Sequence, residues 1–599
     1  MPQPIRSNRL KTSLLAAAGL LAASVASQAV AATLGWIELE GALSERQDSS
    51  AALFGVEQGP TLRALVDSLH ETAGRSGIDG IVLRLRQPAL TRTQVEEIGA
   101  ALQELRAAGK KVHIFTEIYG PTELLLGAYA DEVIAQKGAA VTLPGLYMEE
   151  MFLADTLALI GVKADMVQVG DYKGAAEQMG NAKPSEAWNE NINQLLDSLY
   201  ENMREQLENG RGLSDAELDE AMQEAWIADP EQAIRLGLID ASVDRLDLEA
   251  HLRKSYDSDL AFDTEVGPAS GGSELDLANP FAMLKVLSEP QKPRIKRDTI
   301  AILNINGAIV DGESSSGGLM GGSNVGSLTI REALAEIENE PRIKGVVIRI
   351  DSPGGSAIAS ESIWLGARRV AEKKPVWVSV GSMAASGGYY IAVSGEKIYV
   401  NEDSIVGSIG VVGGKYALGG LYDKLNVNVV PRVRGPQADL FSSVSTWSDT
   451  ERALIRSRMV DIYEQFVDRV RAGRSGIDIS KTAEGRLFTG DKAIGLKMAD
   501  KIGGLRVAIA DLAAKTGLEE GWYDVVDYPA PKSFAERLEE MFGGLASAPK
   551  SSLMAEVVGL LRAAVGEQNW PNVQASVNAM MQMQREPILL TSPRTLIIR

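Results

Sequence analysis

The stretch AASGGYYIA, Ala384 to Ala392, sets one hydroxyl, Ser386, ahead of two glycines and an apolar run. A serine at a strand-to-helix turn presents its Oγ clear of the sheet, and glycines beside it admit a substrate backbone at close range. The amide of Gly387, at a helix start, is placed to stabilise a developing oxyanion. Upstream, SPGGS (Ser352 to Ser356) follows a strand ending near Asp351, so Gly354 or Gly355 is a candidate second donor. This pattern suits acyl transfer if some group takes the serine proton. The three histidines, His70, His113 and His251, all lie far from Ser386 in sequence, and there is no cysteine. The remaining base of suitable reach is a lysine, whose pKa burial can lower by several units. Lys173 is one of several candidates on these grounds; it follows the largely apolar run Met166 to Val169 and precedes Gly174-Ala175-Ala176. Asp171 and Glu177 would oppose such a shift if their carboxylates faced the amine.

The elements that must position these residues come in two copies. GIDGIVLRLRQP (Gly77 to Pro88) matches RIKGVVIRIDSP (Arg342 to Pro353), with Gly80 on Gly345, an offset of 265. The same offset lays Asp131 to Gly145 on Glu396 to Gly410 and Gly170 on Gly435, while AIRLGLID (Ala233 to Asp240) falls on AIGLKMAD (Ala493 to Asp500). Position 386 then corresponds to Pro121, SPGGS to QPALT, and Lys173 to Ala438. The first copy lacks the hydroxyl and the glycines, so the fold does not require them. Within each copy, β-branched runs such as IVLRL and VVIRI alternate with helix-period segments, which predicts a parallel α/β arrangement. KVHIFT and PVWVSV read as the following strands. Two apolar stripes at helical spacing, Trp188-Ile192-Leu195-Leu199-Met203 and Ile455-Met459-Ile462-Phe466-Val470, read as core or domain packing.

Composition narrows the function classes. With 599 residues, 45% hydrophobic and 23% charged, the chain is globular and long enough for two or more domains. A net charge of -20 argues against nucleic acid as a partner. The absence of cysteine excludes disulfides and thiolate metal sites, and so few histidines argue against a catalytic zinc; no metal is expected. Arg6, Arg9 and Lys11, an apolar core from Leu14 to Ala26 and Ala29-Val30-Ala31 read as an export signal, 1–31, with an uncleaved anchor as the rival reading. The expected layout continues with a first repeat over 34–255, a linker over 256–297, a second repeat over 298–515, and an extension over 516–599 to which no chemistry is assigned. The Gly/Ser-rich stretch Gly312 to Ser327 reads as a loop.

ASGGYYIA followed by GSIG (Gly407 to Gly410), SPGGS upstream, YKGAAE (Tyr172 to Glu177) and the tandem repeat together resemble the long, tandem-repeat form of the bacterial signal peptide peptidase A (protease IV) family, within the Clp protease and crotonase superfamily. The resemblance covers roughly residues 34 to 515. It implies two tandem Clp/crotonase-like domains, each a parallel β-α-β superhelix, with helical extensions. It implies Ser386 as nucleophile and Lys173, from the other copy, as general base, with Ser408 orienting the lysine. Gly387 and the Gly354/Gly355 pair match oxyanion-hole positions, and Gly407 and Gly410 match a substrate-bordering loop. No cofactor is needed. Gly174 departs from the family's usual serine. The expected activity is endoproteolysis of leftover signal peptides or other extended apolar segments, by a homotetramer outside the cytoplasmic membrane, on its periplasmic side, anchored or peripheral. A crotonase-like acyl-thioester enzyme and a non-catalytic peptide-binding scaffold are the alternatives.

Overall fold

The computed structural model describes residues 31–46, 59–256, 258–268, 295–315, 324–530, 588–592 and 597–598. The export signal before residue 31, most of the expected linker and the centre of the Gly/Ser-rich loop lie outside the described residues.

In the first repeat, strands β1 (Ala32–Gly41), β2 (Gly80–Pro88), β3 (Lys111–Tyr119) and β4 (Glu132–Val141) are followed by β5 (Lys163–Val169), β6 (Ala241–Val243) and β7 (Leu260–Asp263). All except β5 form one sheet, in the order β6-β4-β3-β2-β1-β7, and every pairing in it is parallel. The near-continuous apolar runs of these strands follow from burial on both faces of a parallel sheet: Ile81, Val82, Leu83 and Leu85 are all fully enclosed. Helix α1 (Arg92–Ala107) starts at a capping box, in which Thr91 Oγ1 accepts from the Gln94 amide and the Gln94 side chain accepts from the Thr91 amide.

The second repeat copies this plan. Strands β8 (Thr299–Asn306), β9 (Ala308–Val310), β10 (Asn324–Gly326), β11 (Ile343–Ser352), β12 (Gly354–Ser356), β13 (Val376–Ala385), β14 (Ile398–Val400), β15 (Ile405–Gly407) and β16 (Val411–Ala417) are followed by β17 (Leu487–Phe488), β18 (Lys501–Ile502), β19 (Asp524–Tyr528) and β20 (Ile588–Thr591). The main sheet runs β17-β15-β13-β11-β8-β19, with β14 on β13 and β18 on β14. Here β19 flanks β8 as β7 flanks β1, both in parallel. The segments at 260–263 and 524–528, read from sequence as linker and extension, therefore each add an edge strand to their repeat.

A third sheet joins the halves, in the order β10-β9-β12-β20-β16-β5. Strand β5 of the first repeat pairs antiparallel with β16 of the second along seven positions, Val169 on Val411 through Lys163 on Ala417. Helix α2 (Glu186–Arg211) crosses in the same direction. The predicted stripe Trp188, Ile192, Leu195 and Leu199 packs against Ala385, Ile405 and Leu487 of the second repeat. The matching stripe on the helix Asp449–Gly473 buries Ile455, Met459, Phe466 and Val470 in its own repeat's core, with Ile462 partly covered. A buried ion triad also bridges the repeats. Arg349 on β11 lies 2.8 Å from Glu97 and 2.9 Å from Glu45.

Candidate active site

Strand β13 ends at Ala385 and a short helix, Gly387–Ala392, begins at once, so Ser386 occupies the turn between them. Its φ of 54° and ψ of -114° are rare for a residue with a side chain. Such backbone costs on the order of 1–3 kcal/mol and persists only where its surroundings enforce it. Here the Ser386 amide is held by the Gly407 carbonyl at 2.8 Å, and its carbonyl receives the Tyr390 amide at 2.8 Å. The equivalent turn in the first repeat leads into the helix Pro121–Gly127, without a hydroxyl.

Three segments hold Lys173 in reach of that hydroxyl. After β5 the chain turns at Gly170, whose φ is 106°, and the Tyr172 amide donates to the Glu484 carbonyl at 2.8 Å. Gly485 backs the Lys173 main chain so closely that a Cβ there would lie 2.6 Å from Lys173 Cα. Gly410 backs the side chain, where a Cβ would lie 3.1 Å from Lys173 Cδ. The amine then lies 2.6 Å from Ser386 Oγ, 2.8 Å from Ser408 Oγ and 2.8 Å from the Ser408 carbonyl. Lys173 is 1% exposed and Ser386 is 0% exposed. Burial alone pushes the Lys173 pKa well below its ordinary 10.5. The nearby acids do not counter this: Asp171 is exposed, and the Glu177 carboxylate accepts from the Ser185 amide and hydroxyl, both at 2.7 Å.

The glycine-rich turn SPGGS folds over the same point. Ser352 Oγ donates to the Gly307 carbonyl at 2.7 Å and accepts from the Gly354 amide at 3.1 Å. Gly354 has a φ of 98° and is crowded by the Ser386 turn, since a Cβ there would lie 2.7 Å from the Gly387 nitrogen. A Cβ on Gly387 would in turn lie 3.2 Å from the Gly355 nitrogen. The backbone of Gly355 thus lies close against that of Gly387, whereas the Gly354 amide is engaged by Ser352. Ser356 caps the following helix, Ala357–Ala371, accepting from the Ala359 amide at 3.2 Å. A hydroxyl beside a buried amine of lowered pKa, with backbone amides at the same turn, can form and hydrolyse an acyl ester.

The structure brings Ser386, Lys173, Ser408, Gly387, Gly354 and Gly355 together. Gly407 and Gly410, expected beside a substrate, lie against the Ser386 amide and the Lys173 side chain. Gly174 is explained by Trp188, for a Cβ at 174 would lie 2.8 Å from the indole Cγ. Sequence reasoning did not single out Ser352, Glu484, Gly485 or Trp188 as parts of the site. Trp188 carried a signal only as core.

The comparisons agree with this arrangement in two repeats. The description "Peptidase family S49" matches residues 104–258 and again 368–519. The chain is 30% identical over 472 residues to "Serine protease SPPA, chloroplastic" of Arabidopsis thaliana, covering 77% of this chain and 66% of that protein. It is 28% identical to "Protease 4" of Salmonella typhi, covering 80% and 75%. With "Protease 4" of Haemophilus influenzae it shares 27% identity, covering 74% and 71%. Matched in both of its repeats, the chain belongs to peptidase family S49.

Proposed function

We propose that this serine peptidase works through a Ser386–Lys173 dyad split between its two repeats, the lysine supplied by the repeat over 34–255 and the serine by the repeat over 298–515. The observation that carries the reading is the 2.6 Å contact between a wholly buried amine and the hydroxyl on a strained turn. Neutral Lys173 takes the Ser386 proton as Oγ attacks a peptide carbonyl, and the Gly387 and Gly355 amides receive the oxyanion, with Gly354 shaping the turn. Lys173 then passes the proton to the leaving amine, and water repeats the cycle on the acyl-enzyme. Ser408 orients the amine through its hydroxyl and carbonyl. No cofactor enters.

The substrates are extended apolar peptides, cleaved signal peptides among them, met on the periplasmic side of the cytoplasmic membrane. The charged and apolar pattern of residues 1–31 supports export; among the described residues no helix is long and apolar enough to cross a membrane. Assembly as a homotetramer is supported by apolar side chains left exposed at one place, where Lys424 donates to the Leu159 carbonyl. Leu159, Ile160 and Leu425 are each more than half exposed there. The test is hydrolysis of an apolar peptide by the purified protein and its labelling by a serine-directed phosphonate. Ser386→Ala abolishes both under this reading; persistence of either in that variant contradicts it.

A further inference from the structure

The loop Glu484-Gly485-Arg486 stands between the short helix Ile479–Thr482 and strand β17. Glu484 and Gly485 have φ of 62° and 90°, and left-handed backbone at a residue with a side chain persists only where its surroundings enforce it. Each residue of this loop is bonded to main chain beside the dyad. The Glu484 carbonyl accepts from the Tyr172 amide at 2.8 Å, the Gly485 amide donates to the Ile409 carbonyl at 2.9 Å, and the Arg486 carbonyl accepts from the Ser408 amide at 2.6 Å. The loop therefore ties the turn that carries Lys173 to the turn that carries Ser408.

The Arg486 side chain closes the same junction from outside the backbone. Its guanidinium lies over the Tyr172 ring, 3.9 Å from the centroid, where the ring quadrupole attracts a cation. Nη1 donates to the Ala483 carbonyl at 3.1 Å and to the Ser480 carbonyl at 3.4 Å, which fixes the guanidinium to its own loop. The loop is anchored in turn, because the Tyr463 hydroxyl donates to Glu484 Oε1 at 2.6 Å. The first repeat again serves as a control. The offset of 260 that lays Ala233 on Ala493 lays Ala225 on Gly485 and Trp226 on Arg486. Ala225 has an ordinary φ of -92°, and Trp226 is 67% exposed. The repeat without a nucleophile thus has neither the left-handed glycine nor the guanidinium, and its fold does not need them.

Resting on the dyad reading, we propose that Arg486 is a positioning residue for the general base: stacked on Tyr172 and tethered to the carbonyls of its own loop, it fixes the turn from which Lys173 reaches Ser386. It acts on the amine only through Tyr172 and the loop. The repeat that bears the serine in this way also sets the base that the other repeat supplies. Without the stack the turn at Tyr172 gains freedom and water reaches the amine. Its ionisation then moves back toward the ordinary 10.5, since burial is what lowers it.

The test is the pH dependence of kcat for an apolar peptide, measured beside thermal unfolding, with Lys173→Ala as the reference. Arg486→Ala and Tyr172→Leu are each expected to lower kcat about ten- to a hundredfold and to displace the controlling ionisation upward. Tyr172→Phe, which keeps the ring, is expected to keep wild-type kcat and ionisation. The double variant Arg486→Ala/Tyr172→Leu should fall no further than either single one, because both remove the same stack. Wild-type kcat and ionisation in Arg486→Ala, or losses that multiply in the double variant, would overturn the proposal. So would a lowered melting temperature with an unmoved ionisation, the mark of a merely structural role. If Arg486→Ala does not fold, the two Tyr172 variants decide, and equal kcat in both would overturn it. Loss of the ionisation in Lys173→Ala shows in each of these cases that the dyad reading stands. Its persistence there would sink the dyad reading and this proposal together.

Discussion

Among the described residues no carboxylate faces the enclosed Lys173 amine, and that has consequences both for rate and for stability. As the proposed general base it acts only when neutral, so Lys173→Ala is expected to lower kcat by about 10²–10⁴. Stability follows the same ionisation. Burial lowers the folded-state pKa below the ordinary 10.5, so between that depressed value and 10.5 the unfolded chain binds a proton that the folded chain does not. Stability contributed by this site therefore rises with pH across that window. Lys173→Met should remove the rise, which denaturant melts at a series of pH values would show; an unchanged slope would place the charge elsewhere. At this scale the sequence was partly legible. Ser386 and the glycines stood out because the first repeat lacks them. Lys173 did not, because Asp171 and Glu177 flank it, and nothing local says that Glu177 turns to Ser185. Only the family resemblance singled it out.

The elements matter because each delivers one group to a point that no single element reaches. Strand β5 and the turn at Gly170 carry the lysine, β13 carries the serine, and β12 carries the amides. Trp188, at the start of α2, closes the lysine turn from outside and is only 1% exposed. Gly174→Ser would drive a side chain into that indole and is expected to cost about 1–3 kcal/mol, with kcat falling as the amine is displaced. Thermal unfolding and peptide hydrolysis measured on the same variant would check this; a variant with unchanged melting would contradict the packing described. The strands and helices of the repeats were readable from their periods. Strands β7 and β19 were not, since LAFD and DVVDY are short, carry acids and sit in stretches that read as linker and extension. Strand β20 gave no signal of its role, because four apolar-to-polar residues define neither a period nor a partner.

At the scale of the whole molecule, the proposed mechanism divides the labour of the duplicated halves: one repeat keeps the hydroxyl and the amides, and the other contributes the amine. Their mutual orientation is therefore part of the active site. Arg349 is 2% exposed, and Glu97, its partner from the first repeat, also accepts from the Leu505 amide and Asn401. Glu97→Ala leaves Arg349 buried with half its charge partners and is expected to cost about 3–5 kcal/mol. Hydrolysis should fall at temperatures where the wild type is still active. Calorimetry beside activity would show whether both are lost together. The sequence showed the duplication and the missing groups of each copy, but not this crossing of charges, since ion partners 252 and 304 positions apart leave no periodic trace.

The claim that the amine of one repeat serves the hydroxyl of the other is tested most directly by the rate at which a serine-directed phosphonate labels Ser386, followed against pH in the wild type and in Lys173→Ala. The wild-type rate should climb through an ionisation well below 10.5 and then level off, and Lys173→Ala should lose that step and fall by about 10²–10⁴. Labelling of Lys173→Ala at the wild-type rate, with the same pH profile, would contradict the account.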